Sequence, residues 1–148
     1  WSVMYCSQDR YDPTQITEGI VATDAEITGE VTYTVALDFT QTAAGYANGV
    51  VFSAVGIANG ESLYPGYCIE ITEIKINGEP YTLTGKPYTT SDDKLCTRVN
   101  LYNSWVTAIP EEARTADHDV ENVTPCVLDA GTLRKVETID VTFSYVAP

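Results

Sequence analysis

A predicted β-hairpin over residues 67–83 constrains the fold of this chain more than any other stretch. Ile69 and Ile71 alternate with polar neighbours, as expected of a strand that buries one face. Asn77-Gly78 follows, and this dipeptide is the strongest short signal for a hairpin because both residues tolerate the positive φ of a type I′ turn. The alternation resumes after the turn. The stretch therefore predicts antiparallel pairing of two strands.

The same hairpin carries two predictions about register. Ile71 and Ile74 are three positions apart, so their side chains would point to opposite faces of a regular strand. Both can face the core only if an extra residue is inserted near Thr72-Glu73. Counting outward from the turn places Lys75 opposite Pro80, which has no N–H to offer a further strand. We therefore expect a bulge in the first strand and a short return strand at a sheet edge.

The rest of the chain reads as strands separated by turn residues. Clean alternation at 33–39 and at 139–145 predicts strands with one core face, and it assigns Tyr33, Phe39, Phe143 and Tyr145 to the core. Residues 50–58 are apolar at both parities, which indicates either a strand covered on both sides or one with a ligand-facing side made flat by Ala54 and Gly56. Residues 109–114 favour one helical turn, since Pro suits its first position. Further strands are predicted over residues 1–6, 20–27 and 97–105.

These elements define a fold class. About eight short strands with almost no helix predict an all-β fold, a β-sandwich of jelly-roll type with two antiparallel sheets and one short helical turn. A chain of 148 residues suits a single domain, and its core needs neither disulfide nor metal. We expect residues 1–148 to be one module, excised from a longer protein because the sequence begins within a predicted strand.

The charge of the chain excludes some partners. Eight basic against 21 acidic residues give a net charge of −13, which opposes nucleic-acid phosphates and anionic membranes. No apolar run approaches the roughly 18 residues needed to span a bilayer. We therefore expect neither nucleic acid nor a membrane as a partner.

The four cysteines, Cys6, Cys68, Cys96 and Cys126, are far apart in the sequence. They form no Cys-x-x-Cys pair, which argues against a zinc site. Buried free thiols and one or two disulfide bridges both fit the sequence.

Little in the sequence indicates catalysis or a cofactor. His118 is the only histidine, and no nucleophile motif accompanies it. Asp117, Asp119 and Glu121 could offer oxygens to calcium, but their spacing is not that of an EF-hand loop. We favour a solvated acidic surface there, expect no cofactor, and expect the chain not to be an enzyme.

The aromatic residues give the positive signal. Trp1, Tyr64, Tyr67 and Trp105 fall at strand ends or in loops, where an interior ring has little to pack against. A flat aromatic ring can stack on the apolar face of a sugar. The alternative for Trp105 is that it caps the core beneath the turn at 109.

Polar residues accompany this aromatic set. Arg98, Asn100 and Tyr102 are predicted on one side of the strand that ends at Trp105. With Asn103, they could hydrogen-bond the hydroxyls around a sugar ring. The alternative for Arg98 is an ion pair with a surface acid.

Three segments carry a resemblance to a known family. They are Tyr-Pro-Gly-Tyr at 64–67, Gly-Lys-Pro-Tyr-Thr-Thr-Ser-Asp-Asp at 85–93, and Thr-Arg-Val-Asn-Leu-Tyr-Asn-Ser-Trp-Val at 97–106. Over nearly its whole length the chain resembles the carbohydrate-binding modules appended to cellulosomal endoglucanases of ruminal bacteria. The resemblance implies a secreted or cell-surface β-sandwich that tethers a covalently linked glycoside hydrolase to plant cell-wall polysaccharide without cutting it. It also implies an exposed tryptophan platform.

Three hypotheses follow, in this order of preference. The first is a module that binds β-1,4-glucan, xyloglucan or glucomannan. The second is a structural spacer that packs against a catalytic domain without binding sugar, and the third is a small glycosidase. The first assigns ligand contacts to Trp105, Trp1, Tyr64, Tyr67, Tyr102, Arg98, Asn100 and Asn103.

Overall fold

The computed structural model describes residues 18–29, 31–91 and 95–148, together with the backbone of residues 2–7. Nearly all regular structure is β. In chain order the strands are β1 (Ser2–Ser7), β2 (Val21–Thr23), β3 (Thr32–Asp38), β4 (Ala47–Asn48), β5 (Phe52–Ile57), β6 (Cys68–Ile76), β7 (Glu79–Tyr81), β8 (Thr89–Ser91), β9 (Thr97–Asn103), β10 (Lys135–Val136) and β11 (Thr138–Val146). A four-residue helix, α1 (Gly60–Leu63), lies between β5 and β6.

The strands form two principal antiparallel sheets. One has the order β1-β5-β9-β8 and the other β2-β3-β11-β6-β7, while β4 and β10 make a separate two-stranded ribbon. Val55 and Leu101 from the first sheet share one buried cluster with Ile74, Val141 and Phe143 from the second. Buried residues of both sheets pack in one core, so the predicted all-β sandwich of two antiparallel sheets is confirmed. Strands outnumber the predicted eight because several contain only two or three residues.

The β-hairpin predicted over residues 67–83 forms, with β6 and β7 as its two strands. Asn77 and Gly78 both have positive φ, at 55° and 81°, which is the type I′ requirement. Lys75 pairs with Pro80, and β7 is the edge strand of its sheet. Pro80 is tolerated in an edge strand because no further strand has to accept a hydrogen bond from the N–H that proline lacks.

The predicted bulge is also present. In the ladder with β11, pairing passes from Glu73 directly to Ile71, which leaves Thr72 as the extra residue. Ile71 and Ile74 are consequently both buried. The bulge is therefore what allows both isoleucines to face the core from one strand.

Most core predictions hold. All six residues of β5 are buried, as its two apolar faces predicted. The four rings assigned to the core are buried as well, and they are Tyr33, Phe39, Phe143 and Tyr145.

The predicted helical turn at 109–114 was wrong. Ala113 donates to the Pro110 carbonyl to close a simple turn, and Arg114 then exchanges two backbone hydrogen bonds with Thr89. Pairing with β8 extends the chain, so a helix cannot continue. The short helix lies instead at α1.

Two of the cysteines adopt the free-thiol alternative. Cys68 is a buried thiol whose pKa is raised chiefly by burial. Cys126 is also free, and its Sγ accepts a hydrogen bond from the Asn103 N–H at 3.2 Å. Within the described ranges, no helix has the length and apolar character needed to cross a membrane.

Candidate functional site

The face of β9 that points away from the core was predicted to present polar residues. Residues opposed across an antiparallel pair share a face, and the β5 partners Phe52 and Ala54 form a buried cluster separate from the main core. Three β9 residues therefore lie on this outer face: Arg98, Asn100 and Asn103.

Tyr102 does not join them, which corrects the predicted row. A register shift in the pairing of β5 with β9 leaves Leu101 unmatched between Asn100 and Tyr102. The bulge reverses the alternation, so Tyr102 packs half-buried against the main core. Its ring is a packing residue in this structure rather than a surface contact.

Asn100 also differs from its predicted role, because only 4% of it is exposed. It lies beside the buried Tyr88. Burial raises the pKa of the Tyr88 hydroxyl, and a hydrogen bond with Asn100 partly opposes that effect. Asn100 therefore belongs to the interior of the sheet and not to a surface that contacts sugar.

Asn103 and Trp105 form the best-defined unit of the predicted site. Asn103 is 5% exposed, and its Oδ1 accepts a hydrogen bond from the Trp105 backbone N–H at 3.0 Å. This is an Asx-type turn, in which the side chain takes the place of a backbone acceptor. Trp105 itself is 54% exposed. Asn103 thus positions Trp105, whose indole lies at the surface rather than capping the core.

Arg98 packs over an aromatic ring on the outer face. Its guanidinium carbon lies 5.9 Å from the centroid of the Phe52 ring, within the range of a cation–π contact. The side chain is half-buried. Its aliphatic and planar parts therefore cover β5.

Tyr64 and Tyr67 belong to an aromatic cluster with Tyr145. The ring centroid of Tyr145 lies 5.5 Å from that of Tyr64 and 5.0 Å from that of Tyr67. Both outer rings are half-buried against the core. Their contacts contribute to packing.

This cluster lies at the opposite end of β9 from Trp105. A Cβ on Gly60 would lie 3.1 Å from the Tyr145 hydroxyl and 2.4 Å from Thr97 Oγ1, at the first residue of β9. Seven residues of strand span about 20 Å, and Trp105 follows the last of them. Tyr64 and Tyr67, which were assigned ligand contacts together with Trp105, therefore lie apart from it. Trp1 lies outside the described residues.

A charged junction fixes the Tyr64 end of the molecule. The Arg114 guanidinium donates to both carboxylate oxygens of Glu61 at 2.8 Å and to the Tyr67 carbonyl at 2.7 Å. Thr97 Oγ1 donates to the same carboxylate at 2.9 Å. Burial alone would lower the pKa of Arg114, but the hydrogen bonds and charge of Glu61 raise it above its ordinary value.

The acidic loop considered for calcium binds a lysine instead. Lys86 Nζ donates to both oxygens of Asp117, at 2.9 and 2.8 Å, and to the Asp119 carbonyl at 2.9 Å. Hydrogen bonds from Lys86 and Thr115 hold the pKa of Asp117 well below its usual range. Glu121 donates its N–H to Asp119. Among the described residues, no three potential ligands gather around one metal position.

Two clefts were not predicted. One has a volume of about 300 Å³ and opens beside the Lys86–Asp117 pair. The two charges of this pair neutralise each other. The second, of about 310 Å³, contains the half-buried Tyr46. The sequence offered one signal for it, a tyrosine in a turn-rich segment between Gly45 and Asn48-Gly49.

Comparison of the chain with protein-family models, with curated proteins and with solved structures found no match.

Proposed function

We propose that this protein is a non-catalytic carbohydrate-binding module that holds plant cell-wall β-glucans through Trp105. One observation carries the proposal. An indole that is 54% exposed follows directly after a central β-strand, and the buried Asn103 fixes its backbone. Because the backbone is already fixed, only the two side-chain torsions of this solvent-facing ring are left to order when a ligand stacks on it.

The chemistry of the indole matches the apolar face of a pyranose ring. Stacking buries apolar surface on both partners and uses the negative face of the aromatic ring. Ser104 and Thr107 are exposed on either side of Trp105 in the sequence, and their hydroxyls can bond the polar rim of a sugar. The sandwich beneath them supplies a fixed base.

The resemblance noted in the sequence adds the biological setting to this proposal. It makes β-1,4-glucan, xyloglucan and glucomannan the preferred ligands and a covalently linked glycoside hydrolase the partner. In that setting the module is secreted with a cellulosomal enzyme and keeps it on the polysaccharide. The module itself performs no cleavage.

Native affinity electrophoresis tests the proposal. The protein runs through gels containing barley β-glucan, xyloglucan, glucomannan or xylan, beside Trp105→Ala and a control, Leu63→Ala. Leu63 is 66% exposed and lies in α1, at the other end of β9. Truncation of a central stacking aromatic costs about 2–4 kcal/mol of binding free energy. We therefore expect a β-glucan to retard the parent and Leu63→Ala but not Trp105→Ala.

The opposite result has a clear meaning. If the folded parent migrates freely through every glycan, the binding proposal is wrong and the spacer hypothesis takes its place. Retardation that persists in Trp105→Ala would move the binding surface away from this residue.

A further inference from the structure

The second cleft lies between the start of β2 and the loop that joins β3 to β4. Its volume of about 310 Å³ is at the lower end of the range for small-ligand pockets, about 300–1,000 Å³. It can therefore take a ligand of one or two rings. Its lining is largely apolar and includes Ile20, Phe39, Ala43, Ala44 and Tyr46.

Local contacts hold this cleft in shape. Thr42 Oγ1 donates to the Phe39 carbonyl at 2.7 Å, and the Gly45 N–H donates to the Thr42 carbonyl at 3.0 Å. On the other side, a Cβ on Gly19 would lie only 2.3 Å from the Gln41 carbonyl oxygen, so the two backbones are in close contact. A preformed cleft of this kind costs little ordering on binding.

The rim of the cleft carries positive charge. Lys135 Nζ lies 5.0 Å from the centroid of the Tyr46 ring. Lys135 is also the register partner of Asn48, which lines the cleft. Arg134 precedes it and is exposed. Lys135 thus lies beside the cleft, and Arg134 adjoins it in the chain next to the β4–β10 ribbon.

These two cations differ in their pairing from three others in the described ranges. Lys75, Lys86 and Arg114 each form a salt bridge. Within the described ranges, no carboxylate lies within salt-bridge distance of Lys135 or Arg134. In a chain with a net charge of −13, an unneutralised pair of cations is a local exception that attracts an anion.

We propose that this cleft binds a six-membered ring that carries a carboxylate. The apolar lining and Tyr46 take the face of the ring, the Asn48 amide bonds its polar edge, and Lys135 pairs with the carboxylate. A hexuronic acid and an aromatic acid share this chemistry. The site does not depend on sugar binding at Trp105.

The cleft lies near Trp105, so the test has to distinguish binding in the cleft from binding at Trp105. The Ser104 N–H donates to the Val51 carbonyl at 3.0 Å, and Val51 is three residues beyond Asn48. The two surfaces therefore lie at the same end of the sandwich, and one ligand could touch both.

Titration followed by two-dimensional ¹H–¹⁵N NMR tests the proposal on the whole chain. The ligands are sodium glucuronate, sodium 4-hydroxycinnamate and uncharged glucose, and the reporters are the amides of Gly45, Asn48 and Gly49. Lys135→Gln is compared with Lys75→Gln, which removes the same charge from β6, and with Trp105→Ala. All three positions are surface positions on or beside strands, so the folded spectrum serves as a control for each variant.

We expect at least one acid to shift the three amides saturably and more tightly than glucose. Lys135→Gln should weaken that acid about threefold to fivefold, the size of an exposed charge pair, while Lys75→Gln and Trp105→Ala leave it unchanged. A response to glucuronate alone identifies a sugar acid, and a response to 4-hydroxycinnamate alone identifies an aromatic acid.

Four results overturn the proposal. They are no saturable shift with either acid, binding of glucose as tight as that of glucuronate, an equal loss in Lys75→Gln and Lys135→Gln, and loss of the response in Trp105→Ala.

Discussion

The Arg114 guanidinium and the Glu61 carboxylate face each other through two parallel hydrogen bonds of 2.8 Å. Glu61 belongs to α1, whereas Arg114 follows the turn at 110–113. The pair thus joins two segments that are 53 residues apart. Their side chains are only 15% and 26% exposed, so water cannot fully replace either partner.

Loss of one partner should therefore destabilise the fold. We expect Glu61→Gln to lower the free energy of unfolding by about 2 kcal/mol, because it leaves the half-buried guanidinium without its counter-charge. Denaturant unfolding measures the change. Glu73→Gln removes a carboxylate from an exposed 3.8 Å pair and should cost less than about 0.5 kcal/mol. Equal losses in the two variants would contradict a structural role for the Arg114 pair.

The Lys86–Asp117 pair predicts a dependence of stability on acid. The pKa of Asp117 is lowered by hydrogen bonds from Lys86 and Thr115. A carboxyl of this kind stabilises the fold above its ordinary pKa of about 4, and that stability is lost as the pH falls through the lowered native pKa.

Asp117→Asn should therefore make the free energy of unfolding less dependent on pH. Between about pH 4.5 and pH 2.5, the free energy of unfolding of the parent should fall more steeply than that of the variant. Lys86→Met should have the same effect, since it removes the first cause of the lowered pKa. Denaturant unfolding at several pH values gives both slopes, and an unchanged slope in Asp117→Asn would refute the prediction.

Two buried tyrosines should respond in opposite ways to loss of the hydroxyl. Tyr33 Oη accepts from the N–H groups of Thr28 and Gly29 and donates to the Gly29 carbonyl at 2.9 Å. Tyr145 Oη is buried and meets the geometry of no hydrogen bond among the described residues, although the nearby Thr97 hydroxyl partly offsets the rise that burial causes in its pKa.

Tyr33→Phe should therefore cost about 1–2 kcal/mol, because two backbone donors lose their acceptor. Tyr145→Phe should be neutral or slightly stabilising, since it removes a desolvated hydroxyl and keeps the ring. Thermal and denaturant unfolding of the two variants give the comparison. A larger loss in Tyr145→Phe than in Tyr33→Phe would show that the Tyr145 hydroxyl is bonded.

Asn103 should affect glycan binding only through Trp105. Asn103→Ala removes the acceptor for the Trp105 N–H. We expect it to weaken β-glucan binding by about tenfold, which corresponds to the free energy of about one hydrogen bond. Asn103→Asp keeps an oxygen that can accept from the Trp105 N–H and removes only the amide donor, so it should lose much less binding than Asn103→Ala. An equal loss in the two variants, measured by affinity electrophoresis, would mean that Asn103 contacts the glycan itself.

Local patterns predicted much of the fold correctly. The turn at Asn77-Gly78, the bulge at Thr72 and the edge position of β7 all follow from parity and from residues with special backbone preferences. These features depend on neighbours within about ten residues, which a sequence shows directly. The all-β class follows for the same reason.

The predicted site was less successful because it depended on longer-range geometry. The bulge opposite Ser53 turned Tyr102 inward, and burial beside Tyr88 withdrew Asn100 from the surface. Pairing of Arg114 with Thr89 replaced the predicted helical turn. None of these contacts lies within ten residues of its partner in the chain, so no local pattern could reveal them.

The sequence by itself determined the class of the fold and the strands that build it, because alternation and turn chemistry act between near neighbours. The tertiary structure alone decided which aromatic rings reach solvent. It placed Trp105 at the surface, enclosed Tyr64 and Tyr67 around Tyr145, and assembled the cleft at Tyr46. Exposure is set by which distant segments pack over a residue, and that information is spread over the whole chain.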